Sequence, residues 1–123
     1  NAINRKEYVR AYSYWEPAAA ATQLPPYDQF AQGYADTQGV NLTLGAVQTD
    51  AGAGQRYYRV PVVIVSKSSG APVKTFVGCY TLHLASPDIQ AAPPYHPLAI
   101  SAAKVQPVPA NATTADLLTQ VCQ

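Results

Sequence analysis

A chain of 123 residues that is 48% hydrophobic holds enough apolar material for one domain with a buried core, which excludes an intrinsically disordered segment. Only 12% of the residues are charged and the formal net charge is +1, so no global field draws the chain to nucleic acid or to an anionic membrane. No run approaches the roughly 18 apolar residues of a membrane span, so no transmembrane segment is expected in this chain. The chain has no methionine, and the expectation is that a leader or lipid-anchor segment preceded Asn1. One domain over 1–123 is expected, with 110–123 as a C-terminal tail and helix.

The first helix is read from Tyr8, Ala11, Tyr12 and Trp15, whose i, i+3, i+4, i+7 spacing makes one apolar stripe. Asn4 fits the N-cap, with Glu7 as its capping-box partner. Arg5, Lys6 and Arg10 fall on the other side as a solvated face. Pro17 ends the pattern, and the alanines of 18–21 lead to the break at Leu24-Pro25-Pro26. The second helix follows. Pro26 and Asp28 suit its first turn, Tyr27, Phe30, Ala31 and Tyr34 repeat the stripe, and Gly39 fits the C-terminal cap.

Strands come next. In 40–44, Val40, Leu42 and Leu44 alternate with polar residues, and 49–54 (TDAGAG) reads as a hairpin loop. A long strand over 57–66 places Tyr58, Val60, Val62 and Ile64 on one face and Arg59, Pro61, Val63 and Val65 on the other. Pro61 there predicts an edge position or a bulge. After a hairpin loop at 67–72, the strand over 73–84 sets Phe76, Gly78, Tyr80, Leu82 and Leu84 against Val77, Cys79, Thr81 and His83. Gly78 marks a bend or a close approach. A Pro-rich loop over 86–97, a last strand over 98–106 ended by Pro107 and Pro109, and a short helix capped by Thr113 or Thr114 complete the chain. The order predicts an α+β domain: N-terminal helices packed on a curved antiparallel sheet of about four strands, then a short C-terminal helix.

Cys79 and Cys122 match no zinc-ligand spacing, and no metal site is expected. One disulfide is the preferred reading, two unpaired thiols the alternative. The bond closes a loop worth about 4 kcal/mol in the chain-entropy model. It points to an oxidising compartment, the periplasm or cell exterior. Strand parity puts Cys79 on the face opposite Phe76 and Tyr80, so the terminal helix is expected to lie across that outer face.

The segment Ala2-Ile3-Asn4-Arg5-Lys6-Glu7-Tyr8 with Ala11-Tyr12 resembles the A-I-N-x-x-D/E-Y-x-x-A-Y opening of many bacterial NTF2-like (SnoaL-like) domains. Tyr27, Phe30 and Gly33-Tyr34 resemble their second helix, and the hairpin of Tyr58–Val62 with Phe76–Leu82 resembles their central strands. The resemblance spans about residues 2–108 and implies a cone-shaped domain that is often exported and often without an assigned activity. Enzymes of this fold, of the ketosteroid isomerase and scytalone dehydratase types, project acids, Tyr or His into the cone. The tail tied by Cys122 departs from the simple cone and bears on the sheet-to-sheet homodimer many relatives form.

The seven carboxylates, Glu7, Glu16, Asp28, Asp36, Asp50, Asp88 and Asp116, all read as helix or loop residues. Glu16 and Asp36 are read as surface charges at helix ends. His83 is read as a partly exposed strand residue and His96 as a loop residue. The chemical signal is aromatic: nine Tyr and one Trp against two Phe. Tyr12, Trp15, Tyr27, Phe30, Tyr34, Tyr58 and Tyr80 are the pocket-lining candidates, for a small apolar or amphipathic ligand. An ordinary core with its hydroxyls at the rim accounts for the same pattern. No cofactor and no catalytic residue is assigned. The leading reading is a non-catalytic binding or accessory domain. The alternative is an isomerase or dehydratase, which requires Tyr14, Glu16 or His96 to converge in a cavity.

Overall fold

Three helices of six or seven residues open the chain: α1 (Tyr8–Ser13), α2 (Pro17–Gln23) and α3 (Tyr27–Gln32). Helices this short do not persist alone in water, so their placement depends on what they pack against. The computed structural model describes residues 1–86, 90, 93, 97–109 and 111–122. The Pro-rich loop, with Asp88 and His96, therefore lies largely outside the described residues.

Where two helices were expected before the sheet, there are three. Pro17 begins α2 rather than ending a helix, because a proline at the first position gives up an N–H that has no partner there anyway. The alanine run then propagates the helix until Leu24, which precedes Pro25 and is extended. Asn4 is not the cap of α1. Glu7 occupies that position without a side-chain cap bond. The Asn4 carboxamide reaches across to Val40, accepting from its N–H at 2.7 Å and donating to its C=O at 2.9 Å. Gly33, not Gly39, caps α3.

The strands are β1 (Thr37–Leu44), β2 (Gln48–Gly52), β3 (Gln55–Ser68), β4 (Lys74–Ala85) and β5 (Ala99–Val108). They form one antiparallel sheet in the order β1-β3-β4-β5, with β2 also on β3. The 49–54 segment is a strand and a tight turn rather than a loop: Gln48 to Gly52 pair with Arg59 to Gln55, and the turn residues Ala53 and Gly54 have φ of 53° and 78°. Lacking apolar alternation, β2 left no periodic signal in the sequence.

Pro61 sits in a central strand, and the sheet accommodates it on one side. Its C=O accepts from Gly45 N–H at 2.8 Å, so its absent N–H faces the same edge. That is where pairing passes from β1 to β2, and the other side keeps its register from Gln55–Ala85 to Ser66–Lys74 without interruption. Curvature enters at irregularities in the β1–β3 register between Thr37 and Gly39 and in the β4–β5 register between Thr81 and Leu82. β5 continues through Pro107, which an edge strand tolerates.

Cys79 and Cys122 are joined, with Cα atoms 5.1 Å apart. The bond ties α4 (Thr114–Leu118) and the tail to the Cys79 face of β3 and β4. Arg59 Nη1 donates to the Cys122 C=O at 3.5 Å, and Leu118 approaches Gly45. Beneath this cover Val77 has no exposed surface, and Val63, its partner across the strands, is also buried. No described helix is long and apolar enough to cross a membrane.

Gly78 marks a close approach rather than a bend: the register runs through it unbroken, and a Cβ there would sit 2.2 Å from the Lys104 C=O oxygen and 2.7 Å from Val105 Cα. Both are backbone atoms of β5, so neither can turn away. Gly78→Ala is therefore expected to force β4 and β5 apart and cost about 3 kcal/mol in urea unfolding. A loss below about 0.5 kcal/mol would contradict the close approach.

Candidate functional site

Strand register divides the chemistry between the two faces of the sheet. Tyr58, Val60, Val62, Phe76, Gly78, Tyr80 and Leu82 share one face, and Ile100 joins it opposite Leu82. The helical layer packs here. Trp15 is not on α1: it forms a parallel bridge with Ile100 of β5, with Glu16 N–H donating to the Ile100 C=O at 2.8 Å and Ile100 N–H to the Tyr14 C=O at 2.7 Å. This pairing brings the Trp15 ring to 6.2 Å from the Tyr80 ring.

The seven aromatic candidates form two groups. Tyr12, Tyr27, Phe30 and Tyr34 pack within the helical layer: Tyr12 meets Tyr27 at 5.6 Å and Phe30 at 5.1 Å, and Phe30 meets Tyr34 at 5.2 Å, all near edge-to-face. Phe30 is buried with Ala2 and Ala11 at the centre of this cluster. The Tyr12 hydroxyl donates to the Pro25 C=O at 3.4 Å. The second group is Trp15, Tyr80 and Tyr58, with Tyr58 one row along from Tyr80 on the neighbouring strand. Tyr34 links the groups. Burial raises its pKa above 10.0, and Tyr80 is raised by burial and then by the proximity of Tyr34. Both phenols stay protonated at neutral pH and can donate a hydrogen bond to a ligand oxygen.

The opposite face carries two ion pairs. His83 Nδ1 lies 2.9 Å from Glu16 Oε2, its Nε2 meets Gln55 Oε1, and its ring stacks on Tyr57 at 4.8 Å. Asp50 pairs with Arg59 at 3.1 Å on the same face. The outward parity read for His83 holds. Two readings change: Glu16 is half-buried and holds His83 rather than standing as a free surface charge, and Asp50 belongs to a strand. The Glu16–His83 pair has no local signal in the sequence: β5 brings the two together, pairing with His83 through Ala99 and with Glu16 through Ile100. Glu7 meets Arg10 at 3.5 Å on the solvated side of α1, Tyr14 is exposed, and His96 lies outside the described residues. Among the described residues no three His, Cys, Asp or Glu gather as a metal site.

One solved structure similar to this chain is that of a provisionally assigned dehydratase of the NTF2-like family from Streptomyces avermitilis, with 14% identity and a TM-score of 0.54 over 87% of this chain and 86% of that one. That likeness is one of fold, and the α+β architecture of this chain is NTF2-like. No protein-family model matches the chain, and no curated protein matches it in sequence.

The raised phenols give a pH test. Above pH 10.0, the ordinary value, the unfolded chain releases these protons while the native chain retains them, so native stability falls as pH climbs past that point. Tyr80→Phe is expected to flatten this decline, measured as urea midpoints from about pH 8 to pH 11. Equal slopes in variant and parent would contradict the burial of that phenol.

Proposed function

We propose that the domain binds a small amphipathic ligand on its inner face, with Trp15 and Tyr58 contacting the apolar body and Tyr34 and Tyr80 donating to a polar tip. The observation that carries this reading is the Trp15 ring 6.2 Å from the Tyr80 ring on the inner face of the sheet, where burial raises the Tyr80 phenol. The same face is apolar at its β1 edge, where Leu42 and Leu44 are 57% and 56% exposed. A mostly apolar wall with a few converging donors suits such a ligand. The Cys79–Cys122 bond supports an oxidising compartment, and a single domain over 1–123 outside the cytoplasm fits it.

The NTF2-like neighbour supports a second reading, a dehydratase or isomerase using the same face. In that case Tyr34 or Tyr80 donates to the substrate carbonyl. The base comes from outside the inner strand face, because Glu16 and His83 are engaged with each other on the opposite face.

Trp15 is the sole tryptophan, so its emission reports this site directly. Titration with 8-anilinonaphthalene-1-sulfonate, an aromatic body with a polar tip, is expected to give saturable energy transfer from Trp15. Loss of one neutral hydrogen bond in Tyr80→Phe should weaken binding about fivefold. Val9→Ser, at an exposed helix position, should leave it unchanged. No saturable transfer, or equal affinity for Tyr80→Phe, would overturn the proposal.

A further inference from the structure

Away from the aromatic face, a cleft of about 410 Å³ opens at the β1 end of the opposite face. Its polar lining comes from Asn4, Gln38, Asn41 and Lys67, its apolar walls from Val65 and Val73, and Gly39 and Val40 complete it. Register explains the grouping: Asn41 lies opposite Val65 and Gly39 opposite Lys67, next to the irregularity between Thr37 and Gly39. Val73, just before β4, extends the same row.

Gly39 keeps the cleft open. A Cβ placed there meets no atom within 4 Å, and its φ is not in the left-handed region. Neither crowding nor backbone geometry requires glycine at this position, in contrast to Gly78. Gly39 lines the cleft, and a side chain there would enter open space.

The charges are one-sided. No carboxylate lines the cleft, and among the described residues Lys67 has no ion-pair partner. The Gln38 and Asn41 carboxamides likewise have no protein hydrogen-bond partner among the described residues, whereas the Asn4 amide is held by two bonds to Val40. The cleft thus offers one ammonium, two free amide donors and two short aliphatic walls. A carboxylate accepts from such donors in charge-assisted bonds, and a short alkyl chain fits between valines.

We propose that this cleft binds a small organic carboxylate with a short aliphatic body. Lys67 and the amides of Gln38 and Asn41 hold the carboxylate, and Val65 and Val73 cover the alkyl part. The site is independent of the inner-face ligand.

The test is an amide ¹H–¹⁵N titration of the folded protein with butyrate, beside n-butanol and sodium chloride at matched concentrations. Butyrate is expected to shift Gly39, Asn41 and Lys67 saturably in the millimolar range, the reach of a ligand with about six heavy atoms. Butanol and chloride should give no saturation there. Lys67→Gln should weaken binding at least tenfold, and Gly39→Leu should abolish it while leaving the remaining spectrum of the fold intact. Non-saturable butyrate shifts, the same response to chloride, or unchanged binding in Gly39→Leu would each overturn the proposal. Should Gly39→Leu fail to fold, Lys67→Gln alone decides: unchanged affinity overturns it.

Discussion

Each exposed edge of the sheet is gripped by the N-terminal segment, and the helical layer depends on those two grips. At β1, the Asn4 carboxamide bonds both backbone groups of Val40. At β5, residues 14–16 pair with Ile100, and the Gln23 carboxamide receives the Ala103 N–H at 3.2 Å and donates to the Ser101 C=O at 3.4 Å. A side-chain amide has the same donor and acceptor as a peptide group, so each acts as a one-residue strand. Helices of six or seven residues cannot hold position by their own hydrogen bonds. Fastened at both edges, they pack over the inner face and leave its β1 end, at Leu42 and Leu44, exposed. The same bonds cover edge groups that would otherwise invite pairing with another chain.

The aromatic meeting point follows from this. Because Trp15 leaves α1 and pairs beside Ile100, its ring arrives over Tyr80. Because α3 packs on α1 through Phe30 and Tyr12, Tyr34 arrives from the other side. The opposite face is closed differently, by the Cys79–Cys122 bond and α4, and it keeps the ionisable pairs Glu16–His83 and Asp50–Arg59. The inner face thus gathers the aromatic rings, and the other sets these ion pairs beside the buried Val63 and Val77, a division set by strand parity.

Parity was the part legible in the sequence. Period-two alternation over β3 and β4 assigned Tyr58 and Tyr80 to one face and Cys79 and His83 to the other, and, with the disulfide read from the two cysteines, the position of α4 followed. The stripes of α1 and α3 were legible for the same reason, since burial repeats with the element's period. What the sequence withheld were contacts with no period. Asn4 looked like a cap because an amide at a helix start usually is one. Pro17 looked like a stop because the same residue starts and ends helices. β2 has no buried face to record, and Glu16 meets His83 only after β5 brings them together.

The central claim is that the two edge grips and the short helices form one cooperative unit. Native-state amide hydrogen exchange tests it most directly, by comparing Val40, Ile100 and Ala103 with the amides of α1 and α3. The account predicts that the three edge amides are protected and that they lose protection together with the helices, at lower denaturant than the centre of β3 and β4. Free exchange at Val40, Ile100 and Ala103 while α1 and α3 stay protected would contradict it.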